Sequence, residues 1–208
     1  MNCDPLARSY RWLEMATYGN LLWRCRCAFL DEMREPVRIL LLGDGDGRFL
    51  ERLLEVNPNA SIDTVDSSAH MLALARARSG DSPRVRFHQA DAIEWLPTSG
   101  PYDLVVTHFF LDCFHPPQVE QIAANLQRAT VPGGRWVICD FRYPDDGAMR
   151  WIAPPLIATM YACFRWTTGL TVRRLPGHGP IVATAGFRMQ GRTQSAGGLL
   201  ASELWTRI

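Results

Sequence analysis

The stretch Val37–Asp66, VRILLLGDGDGRFLERLLEVNPNASIDTVD, constrains the fold more than any other part of the chain. Val37–Leu42 is a short unbroken apolar run, as expected of a strand covered on both faces, and three glycines at alternate positions follow it. Gly47–Asn57 then carries apolar residues at helical spacing, and Ser61–Val65 reads as a second strand closed by the carboxylate of Asp66. That order predicts a parallel strand–helix–strand unit with a right-handed crossover. Gly43, Gly45 and Gly47 let the backbone turn tightly and approach a ligand with no Cβ in the way, and the next helix presents its unpaired N–H groups at the same place. An ordinary strand-to-helix turn also uses glycine. The carboxylate of Asp66 adds a ligand to the reading, because it can accept from both hydroxyls of a ribose.

The glycine spacing discriminates between nucleoside cofactors. A dinucleotide fingerprint needs a third small residue where this chain has Arg48, and a bulky side chain fits that role badly. The spacing G-x-G-x-G instead resembles the first motif of the class I methyltransferases that use S-adenosylmethionine, a cofactor without phosphate. The resemblance continues through most of the chain. VDSSAHMLALARAR (Val65–Arg78) is similar to the family's segment after the second strand, and VRFHQADAIEW (Val85–Trp95) to its third strand and acidic turn. YDLVVTHFFLDCF (Tyr102–Phe114) resembles the fourth strand, and VPGGRWVICDFR (Val131–Arg142) the Pro-Gly-Gly turn with the fifth. The branch it most resembles is the small-molecule methyltransferases of the ubiquinone/menaquinone-biosynthesis type.

The resemblance implies a cofactor site of Gly43, Asp44, Gly45, Asp46, Gly47, Asp66, Ser67, Met71, Asp91, Ala92, Thr107 and His108. In it Asp66 holds the ribose, Met71 lies near the adenine, Asp91 accepts the adenine amino group and the Ala92 amide meets a ring nitrogen. One position departs from the pattern. Many family members carry an acidic residue two positions before the first glycine, where this chain has Leu41, while Asp44 and Asp46 lie inside the loop. These two either take over part of the acid's role or cap the following helix.

Alternation of short Val/Ile/Leu runs with helical patterns predicts an α/β, Rossmann-like, seven-stranded and mostly parallel sheet with helices on both faces. Helices are expected over Pro5–Thr17, Asn20–Glu35, Ser68–Arg78 and Pro117–Ala129, and strands near Arg84–His88, Asp103–His108 and Arg135–Asp140. A helical segment Ala148–Thr168 and a short helix near Gly179–Ala185 come next. Phe187–Gln194 and Leu199–Ile208, flanking Ala196–Gly198, then read as a C-terminal antiparallel hairpin. The organisation is one domain: a helical cap over residues 1–35, a cofactor-binding core over 36–142, a helical insertion or lid over 143–185 and the hairpin over 186–208.

With 208 residues and 47% hydrophobic content, the chain can bury one core and has little left for a second domain. A net charge of +1 argues against a nucleic-acid partner needing a basic stripe. The charge is uneven: residues 1–116 hold 12 Arg against 16 acids and 117–208 hold 10 Arg against 5. Solvated surface explains this more simply than an anion site. Cys3, Cys25, Cys27, Cys113, Cys139 and Cys163 lack the paired spacing of a zinc site, so no metal is expected. No signal-peptide pattern opens the chain, which predicts reduced thiols in a cytoplasm. Trp151–Phe164, the most apolar run, is too short to span a bilayer and contains Pro154–Pro155, so no transmembrane segment is expected.

In open parallel sheets, ligands sit beyond the carboxyl ends of the strands where the strand order reverses. Thr107, His108, Phe109 and Phe110, ending the fourth strand, are therefore expected to face the sulfonium methyl. His108 either positions or deprotonates a nucleophile, or serves as a hydrogen-bonded wall, and the wall is the favoured reading. Asp112 is the other candidate catalytic residue, and it could equally orient the loop. His115 precedes a helix entry and is a weaker candidate. Tyr10, Trp12, Tyr18, Phe109, Phe110 and Tyr161 are candidate acceptor-pocket residues, with Met149, Trp151, Met160, Phe164 and Trp166 as a possible roof or simply core packing.

The expected function is in-line methyl transfer from S-adenosyl-L-methionine, leaving S-adenosyl-L-homocysteine, to a small, partly apolar or aromatic acceptor. Methylation of a protein or nucleic acid is the alternative within the fold, and Leu41 keeps a non-catalytic cofactor-binding relative open. The oligomeric state and the acceptor atom are not legible.

Overall fold

The computed structural model of the chain describes residues 20–96 and 100–208. Its centre is one seven-stranded sheet in the order β3-β2-β1-β4-β5-β7-β6. The strands are β1 Arg38–Leu42, β2 Ser61–Asp66, β3 Val85–Gln89, β4 Tyr102–His108, β5 Thr130–Phe141, β6 Phe187–Ser195 and β7 Leu200–Arg207. The first five are parallel, whereas β7 runs antiparallel to both β5 and β6. The helices are α1 Leu21–Arg26, α2 Arg48–Val56, α3 Ala69–Arg78, α4 Pro116–Ala129, α5 Met149–Thr168 and α6 His178–Thr184. Every element expected between Val37 and Ile208 is present, and the sheet order and final hairpin are those of the expected seven-stranded fold.

Strand β1 shows why the centre needs no alternating pattern. Ile39 and Leu41 enter the core on one face of the sheet with Phe49, Leu50 and Leu53 of α2, while Leu40 and Leu42 enter the core on the other with Val119, Ile122 and Leu126 of α4. All four strand residues are buried, and truncating any of them to alanine should cost about 2–5 kcal/mol. One polar group interrupts this packing. Asp63 of β2 is buried but accepts from Arg86 Nε and Nη2 at 2.8 Å each and from the Tyr102 hydroxyl at 2.9 Å, with His88 Nε2 at 2.7 Å. Burial pushes its carboxyl up, yet these partners outweigh it and hold the group below its ordinary range.

Two boundaries differ from expectation. The helix expected over Asn20–Glu35 is α1 followed by a separate 3-10 turn, Leu30–Met33. The break lets Leu22 and Cys25 pack with the tip of β5 and Met33 pack under β1, two clusters that one straight helix face does not serve together. Strand β5 begins at Thr130 rather than Arg135, with Pro132–Gly134 inside it as a bulge. There the register shifts between the Tyr102–Thr130 and Leu104–Arg135 pairs, and Gly133 has a φ of +76°. The helix expected over Pro5–Thr17 lies outside the described residues.

Register fixes where a site can form. Leu42 aligns with Val65 on one side and Thr107 on the other, so Gly43, Asp66 and His108, each one residue further on, arrive at the same edge of the sheet. That edge is where β1 passes between β2 and β4 and the strand order reverses.

Candidate cofactor site and methyl-transfer centre

All three loop glycines have positive φ, +67° at Gly43, +68° at Gly45 and +80° at Gly47, but they serve different ends. A Cβ on Gly43 would stand 2.3 Å from the Phe110 ring, and one on Gly47 would stand 2.5 Å from the Ala75 backbone. These two let protein pack on protein. A Cβ on Gly45 would meet no protein atom within 4 Å, so the bare backbone there faces open space, as a cradle for a ligand requires.

The loop acids divide their work. Asp44 accepts from the Leu50 amide at 3.0 Å and so satisfies the first turn of α2. Loss of solvation raises its carboxyl to about 7, and the neighbouring Asp46 and Asp66 add to the rise. Asp46 accepts more distantly from the Arg48 amide, at 3.4 Å, and pairs with Arg48 Nε at 3.2 Å and Arg78 Nη2 at 3.1 Å. Asp44 therefore takes the capping role and Asp46 ties the loop to α3. Leu41, where many relatives have an acid, is buried in the core.

Asp66 closes β2 half-buried, one oxygen accepting from the Ser68 amide at 2.9 Å. Ser67 is exposed beside it. Ser68 caps α3 by accepting from the Met71 amide at 3.1 Å, and the Met71 side chain is buried. Asp91, exposed past β3, accepts from the Ile93 amide at 2.9 Å, which sets the turn that carries Ala92. Two shallow grooves lie elsewhere on the surface, about 610 Å³ between α3 and β3 and about 580 Å³ beside the end of α5; neither is lined by Gly45, Asp66 or His108.

At the tip of β4 the expected residues separate. Thr107 is fully buried and its hydroxyl accepts from the Trp136 indole at 3.0 Å, so its side chain belongs to the core and not to the site. His108 is buried edge-on to Phe49, with ring centroids 4.3 Å apart, and its Nε2 has no hydrogen-bond partner. Loss of solvation, helped by the Arg26 charge, holds this imidazole well below its ordinary pKa. It is neutral at physiological pH and only weakly basic, and the weak basicity supports a wall more readily than a base. Phe109 adopts a φ of +51°, unusual for a bulky side chain, in the turn where its amide donates to the Cys139 carbonyl at 2.6 Å.

Behind that turn Asp112 is buried, with its carboxyl raised to about 6 by loss of solvation, and its main-chain carbonyl accepts from the Tyr161 hydroxyl at 2.7 Å. Tyr161 thus pins the turn from α5. His115 caps α4, its amide donating to Gln118 Oε1 and its ring meeting the Thr171 hydroxyl, away from the site. Met149, Met160 and Phe164 pack on the core, but Trp151 and Trp166 are 74% and 89% exposed. The two tryptophans are therefore not part of a pocket roof. They occupy the exposed arc of the helix, Trp166 about 140° round from Tyr161 and Trp151 about 80° from it. Tyr10, Trp12 and Tyr18 lie outside the described residues.

Two residues absent from the sequence reading stand here. Arg26 of α1 lies over the Phe109 ring, 5.2 Å from its centroid, and its charge reaches Asp44 and His108. Asp140, at the tip of β5, is 2% exposed, and among the described residues its carboxylate is approached by the Phe110 amide without full hydrogen-bond geometry. Burial, reinforced by Asp112, holds it well above its ordinary pKa. A carboxylate closing an apolar strand, the signal that singled out Asp66, also marks Asp140 in the sequence; Arg26 has no such signal. Among the described residues no cluster of three or more His, Cys, Asp or Glu side chains is placed to hold a metal ion, and no helix is long and apolar enough to cross a membrane.

Comparison with known proteins agrees with this geometry. A family model described as a methyltransferase domain matches residues 39–134. The chain is 35% identical over 131 residues to a demethylmenaquinone methyltransferase of Thermus thermophilus, covering 62% of this chain and 59% of that protein. It is 36% identical over 104 residues to a trans-aconitate 2-methyltransferase of Streptomyces avermitilis, covering 49% and 38%. The chain thus spans about half the length of these curated relatives. Among solved structures, the N-methyltransferase NodS of Bradyrhizobium japonicum in complex with S-adenosyl-L-homocysteine superposes with a TM-score of 0.68 at 19% identity, covering 98% of this chain and 99% of that one.

Proposed function

We propose that the chain, whose residues 39–134 match a methyltransferase-domain family, is a class I S-adenosylmethionine-dependent methyltransferase that transfers a methyl group from that cofactor to a small, partly apolar or aromatic acceptor. The observation that carries the proposal is Gly45, a positive-φ backbone facing open space at the sheet edge shared by Asp66 and His108. When bound, the cofactor supplies an electrophilic sulfonium methyl with a good leaving group. The protein's own contribution is alignment and exclusion of water, each worth several kcal/mol.

In this reading Asp66 accepts from the ribose hydroxyls and the Asp91 turn receives the adenine. The backbone at Gly45 passes beneath the ribose and methionine portion, and Arg26 supplies positive charge for the methionine carboxylate. His108 and Phe109 wall the methyl, and Phe110 braces the loop at Gly43. The low basicity of His108 supports an acceptor atom that reacts once aligned, and Asp112, with its carboxyl raised to about 6, is the candidate base for one that needs help. The density of aromatic residues beside the tip of β4, together with relatives named for menaquinone and trans-aconitate methylation, supports a small acceptor.

Calorimetry with S-adenosyl-L-methionine and S-adenosyl-L-homocysteine tests the cofactor half: Asp66→Ala should weaken binding at least roughly tenfold, through loss of two hydrogen bonds to one charged group. Unchanged affinity would remove Asp66 from the site. A turnover screen over phenols, thiols, amines and quinol-like compounds tests the acceptor half. Tight cofactor binding with no turnover on any class would favour a non-catalytic relative, the reading that Leu41 keeps open.

A further inference from the structure

We propose that the outer face of α5 docks on the surface of an anionic lipid bilayer. Helix α5 is apolar nearly all round. Ala153, Ile157, Tyr161 and Thr168 form its buried face, with Met160 and Phe164 partly buried on the same side. At 100° per residue these six fall within one arc, and the opposite arc presents Trp151, Ile152, Pro155, Leu156, Ala162 and Trp166 to solvent. Trp166 is 89%, Trp151 74% and Ile152 52% exposed. Two tryptophans so bare on one helix face are not accounted for by scattered surface hydrophobicity, and a contiguous apolar strip marks an interaction site. The indoles stand about 22 Å apart along the axis, near the two ends of the helix. That is the arrangement of a helix lying flat in an interface, where tryptophan prefers the headgroup level.

Charge selects the occupant. Residues 149–175 carry four arginines and no acidic residue, and Asp145 and Asp146 precede the helix, Asp145 paired with Arg142. Arg150 and Arg165 lie within α5, and Arg173 and Arg174 follow it, all exposed. Arg165, Trp166 and Arg173 line one shallow groove of about 580 Å³, which offers two guanidinium groups and an indole to a phosphate-bearing headgroup. A second copy packed parallel on this strip would set arginine against arginine, and one packed antiparallel would bring the arginines near Asp145 and Asp146, of which Asp145 is already paired with Arg142. An anionic bilayer satisfies both the apolar strip and its arginines. Docked so, the protein would rest on the exposed arc of α5, away from Tyr161, which braces the turn at Asp112. The inference does not depend on methyl transfer.

The test is co-sedimentation of the full chain with vesicles of phosphatidylcholine alone or mixed with phosphatidylglycerol. Binding is expected only to the anionic vesicles and should weaken as salt is raised. Arg165→Gln with Arg173→Gln should weaken it roughly thirtyfold, about fivefold per arginine. Trp151→Ser with Trp166→Ser should weaken it at least roughly tenfold, with rescue by phenylalanine at both positions. All four side chains are exposed or line an open groove, so the variants should keep the parent melting temperature, which serves as the folding control. No binding at low salt would overturn the proposal, as would binding that the substitutions leave unchanged. A concentration-dependent dimer abolished by the tryptophan pair would overturn it in favour of a second copy.

Discussion

Asp140→Asn should gain stability on the parent protein as pH rises, and at a defined rate. Asp140 is buried at the tip of β5, where the Phe110 amide approaches it without full hydrogen-bond geometry, and its folded-state pKa lies well above the ordinary 3.8. A carboxyl raised on folding binds its proton more tightly in the native state. Its contribution is therefore most favourable at acid pH and deteriorates as pH rises from the unfolded-state value toward the folded one. Each pH unit between the unfolded-state value and the folded one costs about 1.36 kcal/mol of stability. Asparagine has nearly the same shape and no proton to hold, but it introduces an amide that is costly to leave unpaired, by about 1–3 kcal/mol. The variant therefore gains on the parent as pH rises through that window. Urea unfolding of both proteins across the range from about pH 4 to pH 7 should show the difference growing by about 1.4 kcal/mol per pH unit while the carboxyl remains protonated. A difference that does not change over that range would show that Asp140 ionises in the fold as it does in the unfolded chain. The account of a desolvated strand-tip carboxyl would then be wrong.

Gly45→Val should cost about 1–2 kcal/mol through its left-handed backbone while meeting no protein atom, yet it should abolish the rise in melting temperature produced by S-adenosyl-L-methionine; a retained rise would place the cofactor elsewhere. Because His108 is already neutral, His108→Ala should raise KM for cofactor or acceptor more than it lowers kcat, and kcat should show no titration near neutrality that depends on His108. A near-neutral limb that vanishes with the substitution would make it a base. Glu203 is buried, which pushes its carboxyl up, but His178 at 3.1 Å, the Trp205 indole at 2.9 Å and Arg192 at 2.8 Å outweigh this and bring it down to about 2. A lowered carboxyl stabilises above its unfolded value of 4.5 and loses that contribution as pH falls toward 2, so Glu203→Gln should cost about 3 kcal/mol at pH 7 and progressively less below pH 4.5 by urea denaturation.

The sheet was legible because its determinants are local. Apolar runs between turn residues give β1 and β2, and the turn of Ala196, Gly197 and Gly198, all at positive φ, gives the hairpin. What remained hidden depends on contacts between distant segments. The division of labour between Asp44 and Asp46 rests on Arg78, which lies 32 residues away from Asp46 in sequence and reaches it only because α3 packs on the loop. Thr107 matches the family position but loses its hydroxyl to Trp136, whose place is set by the β4–β5 register. Trp151 and Trp166 looked like pocket aromatics because composition does not say which side of a helix is covered. The phase of Ala153, Ile157 and Tyr161 decides that, and only contact with the core reveals it.

The distribution of unmet polar groups bears on function as well as on stability. Buried polar groups in native proteins are nearly all hydrogen-bonded, because each orphan costs about 1–3 kcal/mol. Asp63, deep in β2, obeys this with Arg86, His88 and Tyr102, so the chain can satisfy a buried carboxylate where only folding is at stake. Among the described residues His108 Nε2 does not obey it, and Asp140, approached by the Phe110 amide without full hydrogen-bond geometry, obeys it poorly; they sit at the tips of adjacent strands, since His108 pairs in register with Cys139. The strained φ of Phe109 falls in the same turn. A fold selected for stability alone would fill those positions with apolar side chains, as it does one turn of strand earlier at Val106 and Ile138. Among the described residues other buried orphan atoms lie at Ser195, Ser202 and Arg207, and positive φ also falls at Asp81 and Ala196, so it is the position of His108, Asp140 and Phe109 at the edge shared by Gly43 and Asp66 that suits them to a bound cofactor and acceptor.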